Sequence, residues 1–343
     1  MTRPDLKDLT LEEMITFGGE LGLSPFRGRQ IFSWLFRPGI TGFSQMTDLS
    51  KELREQLAKA ADISVLSPAR IETSTDGTRK YAFRLADDAI IESVLIPDKN
   101  RKTLCLSSQV GCAMGCRFCL TGTLGLTRNL RPAEMVNQVL AVQEAEGEGK
   151  KGGITNLVFM GMGEPLANFE NLVKALRILL APSGLDFSGR RITVSTCGIV
   201  PRLKDLGESV TVSLAVSLHA ADDPTRDLLM PINRTYPLDQ LLAACQEFPL
   251  PKRRRITFEY VLIKEVNDSR EAARKLVKRL AGIRSKVNLL ALNEAEGIPF
   301  YRPSNDTIRQ FQEVLLAAGL TATLRDSRGA DISAACGQLA GRV

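Results

Sequence analysis

Long hydrophobic runs are missing from this chain of 343 residues. No stretch of about eighteen apolar residues exists, so no membrane-spanning helix is expected. The opening stretch "MTRPDLKDLTLEEM" is charged throughout, unlike a secretory signal, and a cytoplasmic protein is expected. Histidine is nearly absent: His219 is the one copy. Structural zinc normally takes four Cys or His ligands, and no second CxxC pair is present to supply them. Aromatic residues make up 6% of the chain, so no aromatic stacking platform for nucleic acid is expected. Low-complexity tracts are also absent.

What is there begins with seven cysteines, an odd number, and a net charge of +6. In a cytoplasmic setting an odd count fits metal or redox chemistry better than a disulfide framework. The positive balance favours a polyanionic partner without requiring one. Basic residues cluster in "RNLR" (128–131), "PKRRR" (251–255) and "RKLVKR" (274–279). A run of this kind is also what a solvated helix face looks like.

Three textures follow one another along the chain. Residues 1–66 show helical spacing in "LTLEEMITFGGELG", where Thr10 is a candidate N-cap, and then in "RGRQIFSWLF" and "KELREQLAKAA". This helical accessory unit reads either as a packing appendage or as a substrate-gripping domain. Residues 67–100 alternate apolar and polar side chains around Asp76-Gly77, a β-hairpin signal. From 101 to 343, short β-rich runs alternate with helical ones in six β–α units, with "TATLRD" as a further terminal strand. Such alternation predicts an α/β fold with a parallel sheet, and six units suggest a partial (β/α)6 barrel. The functional site is then expected at the C-terminal ends of the strands. An exposed turn is expected over 143–153, in "QEAEGEGKKGG".

The stretch "GCAMGCRFCLTG" (111–122) packs three cysteines into eight residues. Cys112, Cys116 and Cys119 are spaced C-x3-C-x2-C after the first core strand, among glycines that let the backbone wrap. A cubane iron–sulfur cluster normally takes four thiolates. Three would leave one iron open to a small molecule. This spacing and its place resemble the radical S-adenosylmethionine superfamily, in which the cofactor chelates the open iron. The resemblance implies a [4Fe–4S] cluster and S-adenosylmethionine. It makes Gly163 and Glu164 in "VFMGMGEPLAN" the holders of the cofactor's amino group. Ser195 in "ITVSTCGIVP", Ser217, Leu218 and His219 in "LAVSLHA", and Asn293 ending "VNLLALN" complete the candidate cofactor site. Read alone, these residues are equally a glycine-rich turn, a structural histidine and a turn-starting asparagine.

The set "MGMGEPL", "STCG", "SLHA", "MPINR" and "SAACGQL" (333–339) resembles one family more closely. Its members methylate C2 of adenine in 23S ribosomal RNA and in transfer RNA. C2 is an electron-poor carbon, unsuited to direct polar transfer from a sulfonium, whereas a thiolate accepts a methyl group readily. The resemblance implies that Cys336 takes a methyl from one S-adenosylmethionine. A radical made from a second one then activates that methyl, which adds to C2 as a protein–RNA thioether. Cys105, in "TLCLSSQ", matches the thiol that resolves the adduct through a transient disulfide. Glu92, in "AIIESVL", matches a proposed base, although an acidic residue in a strand can also face solvent. The alternative is a relative that methylates C8 of the same adenosine. Also implied are an electron donor such as flavodoxin or ferredoxin, and a monomer. Arg128 and Arg131 are candidates for phosphate contacts. Cys197 has no assigned role, and Cys245 sits in a helical apolar pattern that reads as core.

Overall fold

The computed structural model describes residues 3–147 and 153–341. The helical unit comprises α1 (Leu11–Glu20), α2 (Pro25–Leu35) and α3 (Lys51–Ala60). Thr10 caps α1 as expected: its Oγ1 accepts from Glu13 N–H, and the Glu13 carboxylate accepts from Thr10 N–H. Each partner so satisfies a donor the helix start would otherwise orphan.

The hairpin follows as β1 (Pro68–Thr73) and β2 (Arg79–Arg84), then β3 (Ile90–Asp98) and β4 (Arg101–Cys105), all paired antiparallel. Next comes an excursion: β5 (Gln109–Cys112), α4 (Leu120–Thr123) and β6 (Gly125–Asn129). The alternating part runs α5 (Pro132–Glu146), β7 (Asn156–Phe159), α6 (Phe169–Leu180), β8 (Ile192–Thr196), α7 (Val200–Ser209) and β9 (Ser213–Ser217). It continues with α8 (Asp223–Leu229), α9 (Leu238–Glu247), β10 (Ile256–Leu262), α10 (Arg270–Leu280), β11 (Ser285–Ala291), α11 (Asn305–Ala317) and β12 (Ala322–Arg325).

Among the described residues, one ten-stranded sheet has the order β1-β2-β3-β4-β7-β8-β9-β10-β11-β12. From β4 to β12 every neighbouring pair is parallel. The order is linear, so the sheet stays open as a partial barrel, and "TATLRD" does form its last strand. Leu104, Leu157, Val194, Leu214, Phe258 and Leu289, from successive strands, are all fully or almost fully buried beneath the covering helices. No described helix is long and apolar enough to cross a membrane.

Two expectations change. The cysteine stretch is not a plain loop: β5 and β6 pair as a separate ribbon, with Cys112 ending β5. "QVGC" and "GLTRN" are too short for alternation to reveal. The turn expected over 143–153 is also altered, because α5 continues through Glu146 and 148–152 lie outside the described residues.

Candidate active site

The C-terminal ends of β7 to β11 open into one cavity, about 1040 Å³ including its mouth, lined by residues from each of these strands and from the cysteine loop. Cys112, Cys116, Cys119, Gly163, Glu164, Ser195, Ser217, His219, Asn293 and Cys336 all line it. Residues up to 224 positions apart in sequence are thus gathered where an α/β sheet presents its ligand site (336 minus 112).

The cysteine loop is wound tightly. Gly111 has φ +74°, and a Cβ there would lie 2.0 Å from the Gly125 carbonyl oxygen, so only glycine lets β5 and β6 approach. Burial pushes the Cys112 thiol up to about 11. Burial also raises the Cys116 thiol, and the charges of Cys119 and Cys112 raise it further. Three thiols whose anions oppose one another in a buried wall match a site completed by cationic iron. Among the described residues, no three His, Cys, Asp or Glu side chains converge as a single ion would need.

Glu164 is buried, and burial raises its carboxyl above the usual range. Its Oε1 accepts from Leu166 N–H at 2.9 Å and its Oε2 from Cys197 N–H at 2.7 Å. Gln109 fixes the same turn by accepting from Glu164 N–H at 2.8 Å. The carboxylate is thereby aimed by backbone donors and still has lone pairs for an ammonium group in the cavity.

His219 adopts left-handed backbone geometry, φ +56°. Its Nδ1 accepts from Val261 N–H at 3.0 Å, and its ring meets Phe118 edge-on, centroids 4.8 Å apart. Burial, aided by the Arg226 charge, lowers its pKa to about 3. The ring is therefore neutral, with its proton on Nε2. Leu218 does not line the cavity: it is fully buried, and its backbone carbonyl accepts from Arg226 Nε.

Arg226 is the residue that sequence reasoning missed. It is completely buried, and its guanidinium donates to Leu218 O, Asn233 Oδ1, Cys197 O and Ser217 O at 2.7–3.2 Å. It ties the ends of β8 and β9 together beneath the cavity. In "DPTRDLL" it reads as one more polar helix residue. Asn233 of "MPINR" is half of the signal, since its amide spans Arg226 and Asp227. Cys197 also lines the cavity, and Cys245 is buried on α9 in the main core.

Cys336 stands on the segment after β12, which is threaded through the mouth. Cys336 O accepts from Asn293 Nδ2 at 3.1 Å, Gly337 O from Leu120 N–H at 2.8 Å, and Leu339 O from Thr121 Oγ1 at 2.6 Å. Protein surrounds the thiol, although water reaches it through the mouth, and burial pushes it up to about 11. Cys105 ends β4 behind the cavity. Burial raises its thiol strongly, with a smaller contribution from the charge of Cys336. Glu92 is buried in β3 rather than turned to solvent. Its Oε2 accepts from Ala340 and Gly341 N–H, both at 2.9 Å, and its Oε1 lies 3.5 Å from Lys80 Nζ.

The basic residues are arranged differently from expectation. Arg128 forks onto Asp87 and Glu134 at 2.6–3.0 Å, and Arg131 pairs with Asp8 at 2.6 Å. Both bind hairpin, helical unit and α5 together instead of standing free for phosphate. The 251–255 run precedes β10 and so lies at the end of the sheet opposite the cavity.

Residues 106–277 match the radical SAM superfamily, and residues 4–63 match the ribosomal RNA large subunit methyltransferase N-terminal domain. The dual-specificity RNA methyltransferase RlmN of Geobacter sulfurreducens is 56% identical over 342 residues, covering 100% of this chain and 93% of that protein. The chain belongs to the RlmN family. The RlmN protein of Geotalea uraniireducens is 55% identical, with 100% and 98% covered. The crystal structure of a radical SAM methyltransferase from Sphaerobacter thermophilus superposes with a TM-score of 0.91 at 46% identity, covering 99% of this chain and all of that one. As in other RlmN-family proteins, the cofactors are a [4Fe–4S] cluster and S-adenosylmethionine.

Proposed function

We propose that this radical SAM RNA methyltransferase methylates C2 of an adenosine in 23S ribosomal RNA and of the adenosine 3′ of the anticodon in transfer RNA. The observation that carries the reading is the shared cavity wall: Cys336 lines the same space as Cys112, Cys116 and Cys119. When bound, the cluster and S-adenosylmethionine supply a methyl cation equivalent and, after one-electron reduction, a hydrogen-abstracting radical. Cys112, Cys116 and Cys119 hold the cluster. Glu164 takes the ammonium group, while Gly163, Ser195, Ser217, His219 and Asn293 wall the rest, with Leu218 behind them.

Cys336 accepts the methyl on sulfur; that carbon gives up one hydrogen atom to the radical and adds to C2, and the adduct returns one electron to the cluster as the C2 proton leaves, so that the carbon bridges sulfur and C2. Glu92 is the proposed acceptor of the C2 proton, reached once Ala340 and Gly341 release its carboxylate. Cys105 attacks the Cys336 sulfur. The S–S bond forms as the S–C bond breaks, and the freed carbon takes a proton to become the methyl group. The disulfide is later reduced by an external thiol system. The two free thiols cannot close on their own, because that would need an outside oxidant; the adduct supplies the leaving carbon, and Cys105 gives up its proton as it attacks. Tyr301 and Arg302, exposed on the loop that follows β11 and Asn293, are the candidate stacking and cationic contacts for a base turned out of its stack.

Incubating the reconstituted protein with 23S ribosomal RNA fragments and transfer RNA, then digesting to nucleosides, is expected to yield 2-methyladenosine by mass spectrometry. Finding 8-methyladenosine instead would overturn the C2 assignment. Absence of 5′-deoxyadenosine under reducing, anaerobic conditions would sink the catalytic reading in favour of an iron–sulfur RNA-binding module.

A further inference from the structure

The segment 329–341 carries Cys336, yet much of what holds it comes from far away in sequence. At its start, Gly329 N–H donates to Asp76 Oδ2 at 3.0 Å. The Asp331 carboxylate accepts from the Ser74 hydroxyl at 2.6 Å and from Thr75 N–H at 3.1 Å. Lys80 Nζ donates to Ile332 O at 2.8 Å. At the other end Glu92, on β3, holds the backbone of Ala340 and Gly341. The hairpin turn and β3 thus grip the segment on both sides of the thiol.

The path between these grips is not one the chain would keep unaided. Gly329, Ser333, Gly337 and Gly341 have φ of +66°, +52°, +86° and +61°. Ser333, which carries a side chain, is strained in this region. Such conformations persist where surrounding contacts over-determine them. Asp331 supplies two of those contacts from an exposed position, so it adds little to global stability.

We propose that the hairpin turn is a cradle that sets the position of Cys336 in the cavity, with Asp331 as its positioning residue. The proposal rests on the RNA methyltransferase reading for its catalytic consequence. A thiol displaced by about 1 Å loses reaction efficiency by about a hundredfold, while the cluster thiols and Glu164 stay where they are. Cofactor cleavage then continues without productive transfer.

The test compares the reconstituted native protein with Asp331→Ala and Ser74→Ala, measuring 5′-deoxyadenosine and methylated RNA in the same reaction. Native protein is expected to form nearly one 5′-deoxyadenosine per methyl group. In Asp331→Ala cleavage is expected to stay within about twofold while methylation falls about tenfold or more, so the ratio rises accordingly. Ser74→Ala moves the same way by less, and Asp331→Asn, which keeps one acceptor, restores part of the coupling. Hydrogen exchange of amides 333–339 is expected to speed up in Asp331→Ala and not in α6 or α11. The proposal is overturned by an unchanged ratio, by cleavage and methylation falling in proportion, or by unchanged exchange. Absent methylation in the native protein would instead count against the functional reading, and exchange would still decide the cradle.

Discussion

Replacing Cys105 with alanine is expected to stop the reaction with RNA covalently attached to the protein. Cys336 can still take its methyl group and still join that carbon to the base. The thiol proposed to break the bond is then missing. Turnover is expected to fall about a hundredfold or more, as when a nucleophile is removed. The adduct should appear as a retarded band on a denaturing gel. Nuclease digestion and mass spectrometry should place the remaining nucleotide on Cys336. Cys336→Ala with Cys105→Ala should show no such band. Normal turnover by Cys105→Ala would eliminate the two-thiol mechanism for this chain.

The second large effect is expected from Arg226→Met. Four oxygen acceptors would lose their donor at once: Leu218 O, Asn233 Oδ1, Cys197 O and Ser217 O. Each buried acceptor left alone costs about 1–3 kcal/mol, and removing one partner from a buried charged network typically costs about 3–5 kcal/mol. A fall of about 3–5 kcal/mol in unfolding free energy is therefore expected from urea titration. Arg226→Lys keeps the charge but has no planar fork to reach acceptors on different strands, so an intermediate loss is expected. A change below about 1 kcal/mol in Arg226→Met would show that water or repacking replaces the guanidinium.

Both variants mark the boundary of what the sequence discloses. The cluster thiols were legible because C-x3-C-x2-C is local, and a local spacing survives in one dimension. The parallel sheet was legible for a similar reason: each β–α unit carries its own change of period. Arg226 was not legible, because its acceptors come from two strand ends and a short helical turn, and nothing in "DPTRDLL" says that it faces inward. Glu92 was ambiguous for a different reason. In "AIIESVL" both faces of the strand carry apolar residues, Ile90 and Val94 on the acid's own face and Ile91 and Leu95 on the other, so alternation could not tell inward from outward. The partners that settle it, Ala340 and Gly341, lie 248 and 249 residues away. Arg128 and Arg131 misled because a basic doublet near a site looks the same whether its partner is a phosphate or an aspartate. Charge in sequence carries no record of pairing.

The linear order of the ten-stranded sheet has one more consequence. β3 is bonded to β4, the strand that ends in Cys105. Without residues 67–100, β4 would become the border of a long parallel sheet, with a row of unpaired amides and carbonyls beside a reactive thiol. Such a border invites another chain to add to it. Deleting the hairpin to obtain a minimal barrel would therefore expose a sticky edge and not release a smaller enzyme. The hairpin extension thus also serves as the sheet's insulation against self-association.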